Sequence, residues 1–186
     1  MVALRQAGVQ TIWLTASKMG RPMYEKQGFT AIDTIIRWGG TGRQRCPAHE
    51  EAREADEAEA AMCTIDSSAW GDRRPGLLRA TTGRGRLIRN ESGFVVLQPC
   101  GEAVQIGPFS ALECAAAENL LHEGLRAVVI GKKVYVDSPA ANRAALRIFN
   151  RRGLRIAGTS ELMYAGMKPD YRPENLYGLA TMGSCG

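Results

Sequence analysis

Apolar residues in this chain gather in short runs set apart by glycine and proline. Met1 to Ala7 reads as the tail of a helix stopped at Gly8. Val9 to Thr15, with Ile12, Trp13 and Leu14 at its centre, reads as a strand. Gly20 to Lys26 predicts a short helix with Pro22 in its first turn, stopped at Gly28. Phe29 to Trp38 predicts another strand, ended by Gly39, Gly40 and Gly42, and residues 41–48 read as a linker. His49 to Ile65 predicts a helix whose apolar stripe is Ala55, Ala58, Met62 and Ile65, its acidic run being a solvated face.

Asp72 to Ala80 suggests a second short helix. Arg86 to Arg89, Gly93 to Leu97 and Ala103 to Phe109 then read as an antiparallel meander. Ser110 to Glu123 predicts a helix opened by a Ser-x-x-Glu capping box, Ser110 with Glu113. Val134 to Asp137 is a strand, and Ala140 to Arg152 a helix stopped by Gly153. Leu154 to Tyr164 and Leu176 to Met182 read as the last strands. The order predicts an α+β fold around one mixed, mostly antiparallel sheet flanked by helices. Strand 134–137 is expected beside strand 154–164. Strands 9–15 and 29–38 are expected to form a smaller sheet or to extend the main one.

The chain repeats itself. Met23 to Phe29 and Ile148 to Leu154 both run apolar, aromatic, acid or amide, base, polar, glycine, apolar. Tyr24 to Phe149 and Gly28 to Gly153 share one spacing, 149 − 24 = 153 − 28 = 125. A strand lies on either side of each segment, and the later strand ends in aromatic-x-Gly, at Trp38 to Gly40 and at Tyr164 to Gly166. This points to a duplicated unit whose first copy is partial.

Charge and cysteines narrow the chemistry. The formal net charge is +5, but the basic residues are scattered and no aromatics interleave with them. That reads as a solvated basic surface, with a nucleic-acid binder having only the net charge behind it. No apolar run has the length of a membrane span, and Arg5, Gln6 and Gln10 interrupt any signal pattern, so the expected location is cytoplasmic. Cys46, Cys63, Cys100, Cys114 and Cys185 are widely spaced, and His49 and His122 are the two histidines. Neither a disulfide framework nor a metal site follows from such spacing.

The repeated segments resemble the closing part of the GNAT acetyltransferase fold. Asn142, Ala145, Ile148, Phe149, Asn150, Arg151, Gly153 and Leu154 follow that superfamily's Asn-x-x-Ala-x-x-Leu-Tyr-Glu-Lys-x-Gly-Phe spacing. Gly20 to Phe29 is similar to its Gly-x-Pro-Leu-Tyr-Glu-x-x-Gly-Phe variant. Trp70 to Arg73, Ile106 to Pro108, Tyr135 to Pro139 and Glu161 to Gly166 resemble the C-terminal unit of tandem GNAT proteins. The resemblance implies residues 1–40 as the remnant of a first unit, 41–48 as a linker, and 49–186 as a second, degenerate unit.

It also implies an acetyl-CoA-dependent N-acyltransferase acting on a small-molecule amine, with no nucleic-acid or membrane partner, and it is compatible with a homodimer. In that family the cofactor pyrophosphate lies on backbone N–H groups at a helix N-terminus, reached through a glycine-rich loop. Here the corresponding stretch, Pro108 to Ala116, has no glycine, and Glu113 would set a carboxylate against the phosphate. A tyrosine on the later helix acts as general acid toward the CoA thiolate. Tyr24 occupies that position in the first copy and Phe149 in the second. Tyr24 is therefore the candidate catalytic residue, with plain packing as the alternative reading. Asp137, ending a strand, is the candidate substrate contact, with a strand-end cap as its alternative. Against the enzyme stands a second reading, a non-catalytic GNAT-like module that binds a ligand or completes a dimer.

Overall fold

The computed structural model describes residue 6, residues 8–43 and residues 55–181. The expected helix tail over 1–7 lies outside them except at Gln6. So do most of the linker, the first residues of the acidic helix and Met182.

The strands are β1 (Thr11–Ala16), β2 (Thr30–Thr41), β3 (Arg86–Asn90), β4 (Gly93–Cys100), β5 (Ala103–Ala111), β6 (Lys133–Pro139), β7 (Arg155–Gly166) and β8 (Leu176–Gly178). The helices are α1 (Arg21–Lys26), α2 (Ala55–Trp70), α3 (Pro75–Thr82), α4 (Cys114–Ala127) and α5 (Arg143–Arg151). All strands share one sheet in the order β1-β7-β2-β6-β5-β4-β3, with β8 paired to β5. The early strands thus extend the main sheet. The expected neighbourhood of strands 134–137 and 154–164 is wrong: β2 lies between β6 and β7, antiparallel to both. Sequence order alone suggested that pairing, and a strand arriving from a hundred residues earlier displaces it.

Alternation along β4 shows how the sheet divides its burial. Val95 and Leu97 join a core cluster with Leu120, Leu121 and Leu125 of α4 and Ile148 and Phe149 of α5. Phe94 and Val96 point the other way, onto Met62, Cys63 and Ile65 of α2 and Leu78 of α3. On α5 the sequence decides the facing. Ala145, Ile148 and Phe149 are buried at helical spacing, while Arg143, Arg147 and Arg151 are exposed. Asn142 caps this helix by accepting from the Ala145 amide at 2.9 Å.

The pairing of β2 with β7 has an internal regularity. Thr30↔Tyr164 has a mate in Gly39↔Arg155, since 30 + 125 = 155 and 164 − 125 = 39. Ala31↔Met163 likewise matches Trp38↔Ile156, Asp33↔Leu162 matches Arg37↔Gly158, and Ile35↔Ser160 is its own mate. Even the two register shifts exchange. Outside this pair, Thr11↔Gly166 matches Thr41↔Lys133, with β1 shifted by 133 − 11 = 122. The three-residue difference, 125 − 122, lies within the helix: α5 begins at Arg143, which is 21 + 122, and ends at Arg151, which is 26 + 125. Both helices stop alike. The Gly28 amide donates to the Glu25 carbonyl and the Gly153 amide to that of Asn150. The two glycines have φ of 88° and 78°, a conformation that costs other residues a Cβ clash.

An expected helix start and an expected strand end both differ in the structure. The helix expected from Ser110 begins at Cys114, because Ser110 belongs to β5 and is fully buried. The capping box therefore does not form. Glu113 stands at the N-cap with extended backbone, and its side chain makes no cap bond. β8 stops at Gly178, shorter than the strand expected to Met182.

Candidate functional site

Asp137 is the fully buried centre of a polar group on the α2 side of the sheet. Arg37, from β2, donates to it twice, Nε to Oδ1 at 2.8 Å and Nη2 to Oδ2 at 2.9 Å. Gln105 Nε2, from β5, donates to Oδ2 at 3.0 Å. The Arg37 guanidinium also lies over the Tyr135 ring, 5.3 Å from its centroid. The carboxylate expected to touch substrate is thus enclosed, and its oxygens are engaged by the chain itself. A bidentate guanidinium is the partner that a desolvated carboxylate needs.

Gln105 also lines a cavity of about 440 Å³ with Leu77, Ala80, Thr81 and Arg84 on one side. Gln98, Pro99, Cys100, Ala180 and Thr181 form the rest of its wall. Gln98 Nε2 donates to the carbonyls of Gly107 and Ala180.

β5 and β6 run parallel and pair only at Val104↔Val134 and Gln105↔Tyr135. Beyond those pairs they diverge, leaving strand edges that an extended ligand could bridge. β8 takes that place. It pairs with β5 at Phe109↔Gly178 and Ser110↔Leu176, and the Leu179 amide donates to the Asp137 carbonyl at 2.8 Å. Asn142 Nδ2 donates to the carbonyls of Leu176, at 2.9 Å, and Glu174, at 3.2 Å, so the cap of α5 also holds β8. The Tyr177 ring packs on Phe109 at 5.3 Å. Burial, aided by the neighbouring Cys114, pushes the Tyr177 hydroxyl up to about 12, and a bond with the Asn142 side chain works the other way. The approach is close enough that a Cβ at Gly107 would collide with the Leu179 carbonyl oxygen.

A pyrophosphate at the α4 N-terminus would have to be followed by an extended arm along β5. That stretch is filled by β8, the turn into α4 has no glycine, and Glu113 stands exposed at its start. The residues around β5, β8 and the start of α4 do not fit acetyl-CoA.

Tyr24 sits half-buried on α1, its ring edge-on to Phe29 at 5.7 Å. Its packing neighbours include Ala16 and Met163. Its hydroxyl makes no hydrogen bond among the described residues. Phe149, 125 positions on, is fully buried and edge-on to Trp38 at 5.7 Å. Tyr24 lies on the α4/α5 side of the sheet and Asp137 on the α2 side, so the two candidate site residues are not brought together. Arg37, Gln98 and Gln105 escaped sequence reasoning. The one available signal was an arginine set between the apolar Ile35-Ile36 pair and Trp38. No cluster of metal-ligating side chains occurs among the described residues, and none of their helices is long and apolar enough to cross a membrane.

Comparison with known proteins follows the same lines. A family model for the GNAT acetyltransferase domain matches residues 62–178. No curated relative matches the chain. Among solved structures, a candidate acetyltransferase of Pyrococcus horikoshii superposes with a TM-score of 0.78 at 23% identity, over 97% of this chain and 62% of that one. A GCN5-related N-acetyltransferase of Sphaerobacter thermophilus gives 0.54 at 18% identity, over 86% of this chain and 60% of that one. At such identities the likeness is one of fold. The chain spans about three fifths of each of these structures.

Proposed function

The chain belongs to the family of GNAT acetyltransferase domains, and we propose that it serves as the C-terminal part of an acetyl-CoA-dependent N-acyltransferase built from two such units. Residues 1–40 would finish the first unit, 41–48 link the two, and 49–186 make up the second. The observation that supports this best is the exchange of pairs between β2 and β7, which relates two strand-helix-strand segments 125 residues apart.

In this reading the chemistry resides in the first unit. Acetyl-CoA would supply the acyl group there to a small-molecule amine. Tyr24 would hold the proton that a departing thiolate needs. Its phenol has no competing partner among the described residues, and its ring is steadied by Phe29. The second unit is inactive, since Phe149 has no proton to give and β8 fills the place of an extended ligand.

The test is acyl transfer by the full-length protein to a panel of amines, followed by release of free thiol. Tyr24→Phe is expected to lower kcat by about 10²–10⁴ with the KM for acetyl-CoA unchanged. Undiminished turnover would remove Tyr24 from the reaction. A folded full-length protein without turnover on any amine would favour the second reading, a non-catalytic module. The filled divergence of β5 and β6 already speaks for that reading in residues 55–181. By calorimetry, the 186-residue chain is expected to take up no acetyl-CoA.

A further inference from the structure

Gln98 and Gln105 have their amides fixed by what they touch. Gln105 Nε2 donates to the Asp137 carboxylate, which can only accept. Gln98 Nε2 donates to two backbone carbonyls, which also only accept. Neither amide can flip without setting oxygen against oxygen. Each therefore turns a carbonyl oxygen away from its bonded side. Gln105 Oε1 is buried with no hydrogen-bond partner among the described residues, while the described bonds of the Gln98 side chain are both made by its Nε2. Both side chains line the 440 Å³ cavity, whose volume falls in the range of about 300–1,000 Å³ usual for small-molecule sites.

The rest of the wall completes a pattern. Leu77, Pro99 and Ala180 give it apolar surface. Arg84 is exposed, and its Nε is spent on the Ala80 carbonyl at 3.1 Å, which leaves both terminal nitrogens to meet an anion. Arg37 holds Asp137, Asp137 holds Gln105, and so the acceptor is set before any ligand arrives.

We propose that this cavity binds a small ligand with an N–H donor at one end, an apolar body, and a carboxylate at the other end that meets Arg84. It binds without reacting, since β8 leaves no room beside it for an acyl donor. The proposal does not depend on acyl transfer by the first unit.

The probe is 5-aminopentanoate, compared with pentanoate, which has no donor, and pentylamine, which has no carboxylate. Binding to the full chain is followed by ligand-observed magnetic resonance. The aminopentanoate is expected to bind about tenfold more tightly than either analogue, one charged hydrogen bond being lost in each. Arg84→Ala should remove that advantage over pentylamine. Ala80→Phe, at an exposed position on the cavity wall, should abolish binding of all three while the melting temperature holds. Equal binding of pentanoate and its amino analogue would overturn the proposal. So would unchanged binding to Ala80→Phe, or no binding of any probe to the wild type.

Discussion

Replacing Arg37 by methionine removes the guanidinium that holds the Asp137 carboxylate. The Asp137 side chain is 0% exposed and that of Arg37 21%, so the lost pair is largely screened from water. The carboxylate keeps one side-chain donor, the neutral amide of Gln105. Breaking a buried ion pair by removing one partner costs about 3–5 kcal/mol. The partial exposure of Arg37 points to the lower end, about 3 kcal/mol. Against a total stability of about 5–15 kcal/mol this is a large share. Urea unfolding followed by tryptophan fluorescence is the assay. With a slope of about 1–3 kcal/mol per molar, the midpoint should fall by about 1–3 M. The double variant Arg37→Met, Asp137→Leu should recover most of the loss, because an apolar pair carries no desolvation cost. A loss below about 1 kcal/mol for Arg37→Met, the usual worth of an exposed pair, would refute the buried pair as the tie between β2 and β6.

Two further outcomes follow from local geometry. Gly28→Ala and Gly153→Ala should each cost about 1–2 kcal/mol in thermal unfolding, because both force a side chain into the left-handed region; unequal losses would argue against equivalent helix stops. Burial holds the Asp33 carboxyl above its ordinary range, only partly offset by the Tyr171 hydroxyl and nearby amides. The folded state therefore keeps this proton more tightly than the unfolded one, and the stability that Asp33 contributes falls as pH rises above about 4. Asp33→Asn keeps an acceptor for Tyr171 and has no such fall, so its advantage should grow from pH 4 to pH 7; a shrinking advantage would sink the assignment.

Much of the fold could be read from apolar spacing. The α5 stripe, Ala145, Ile148 and Phe149, and the Gly153 stop needed no more than helical period and a turn residue. Even the 125-residue spacing reappears as strand register. What escaped was non-local. Nothing near β6 says that β2 will lie against it, since strand pairing depends on residues a hundred positions away. Ser110 and Glu113 carry the letters of a capping box, yet pairing with β8 draws Ser110 into the sheet and moves the helix start to Cys114. Asp137 was read as reaching out from a strand end, because its partner Arg37 is invisible from its own neighbourhood. Gln98 and Gln105 look ordinary in sequence and gain meaning only from what fixes their amides.

The place of β2 between β6 and β7 sets the order of events during synthesis. Arg37 leaves the ribosome 100 residues ahead of Asp137. At about 5–20 residues per second, that is a wait of about 5–20 s before β6 appears, and longer before β7 does. For that time the 12 residues of β2 have neither neighbour, and both of its edges are open to other nascent chains. The sheet can close only when nearly the whole chain has been made. Slow decoding downstream of β2 would lengthen this exposure and lower the soluble yield without changing a single residue.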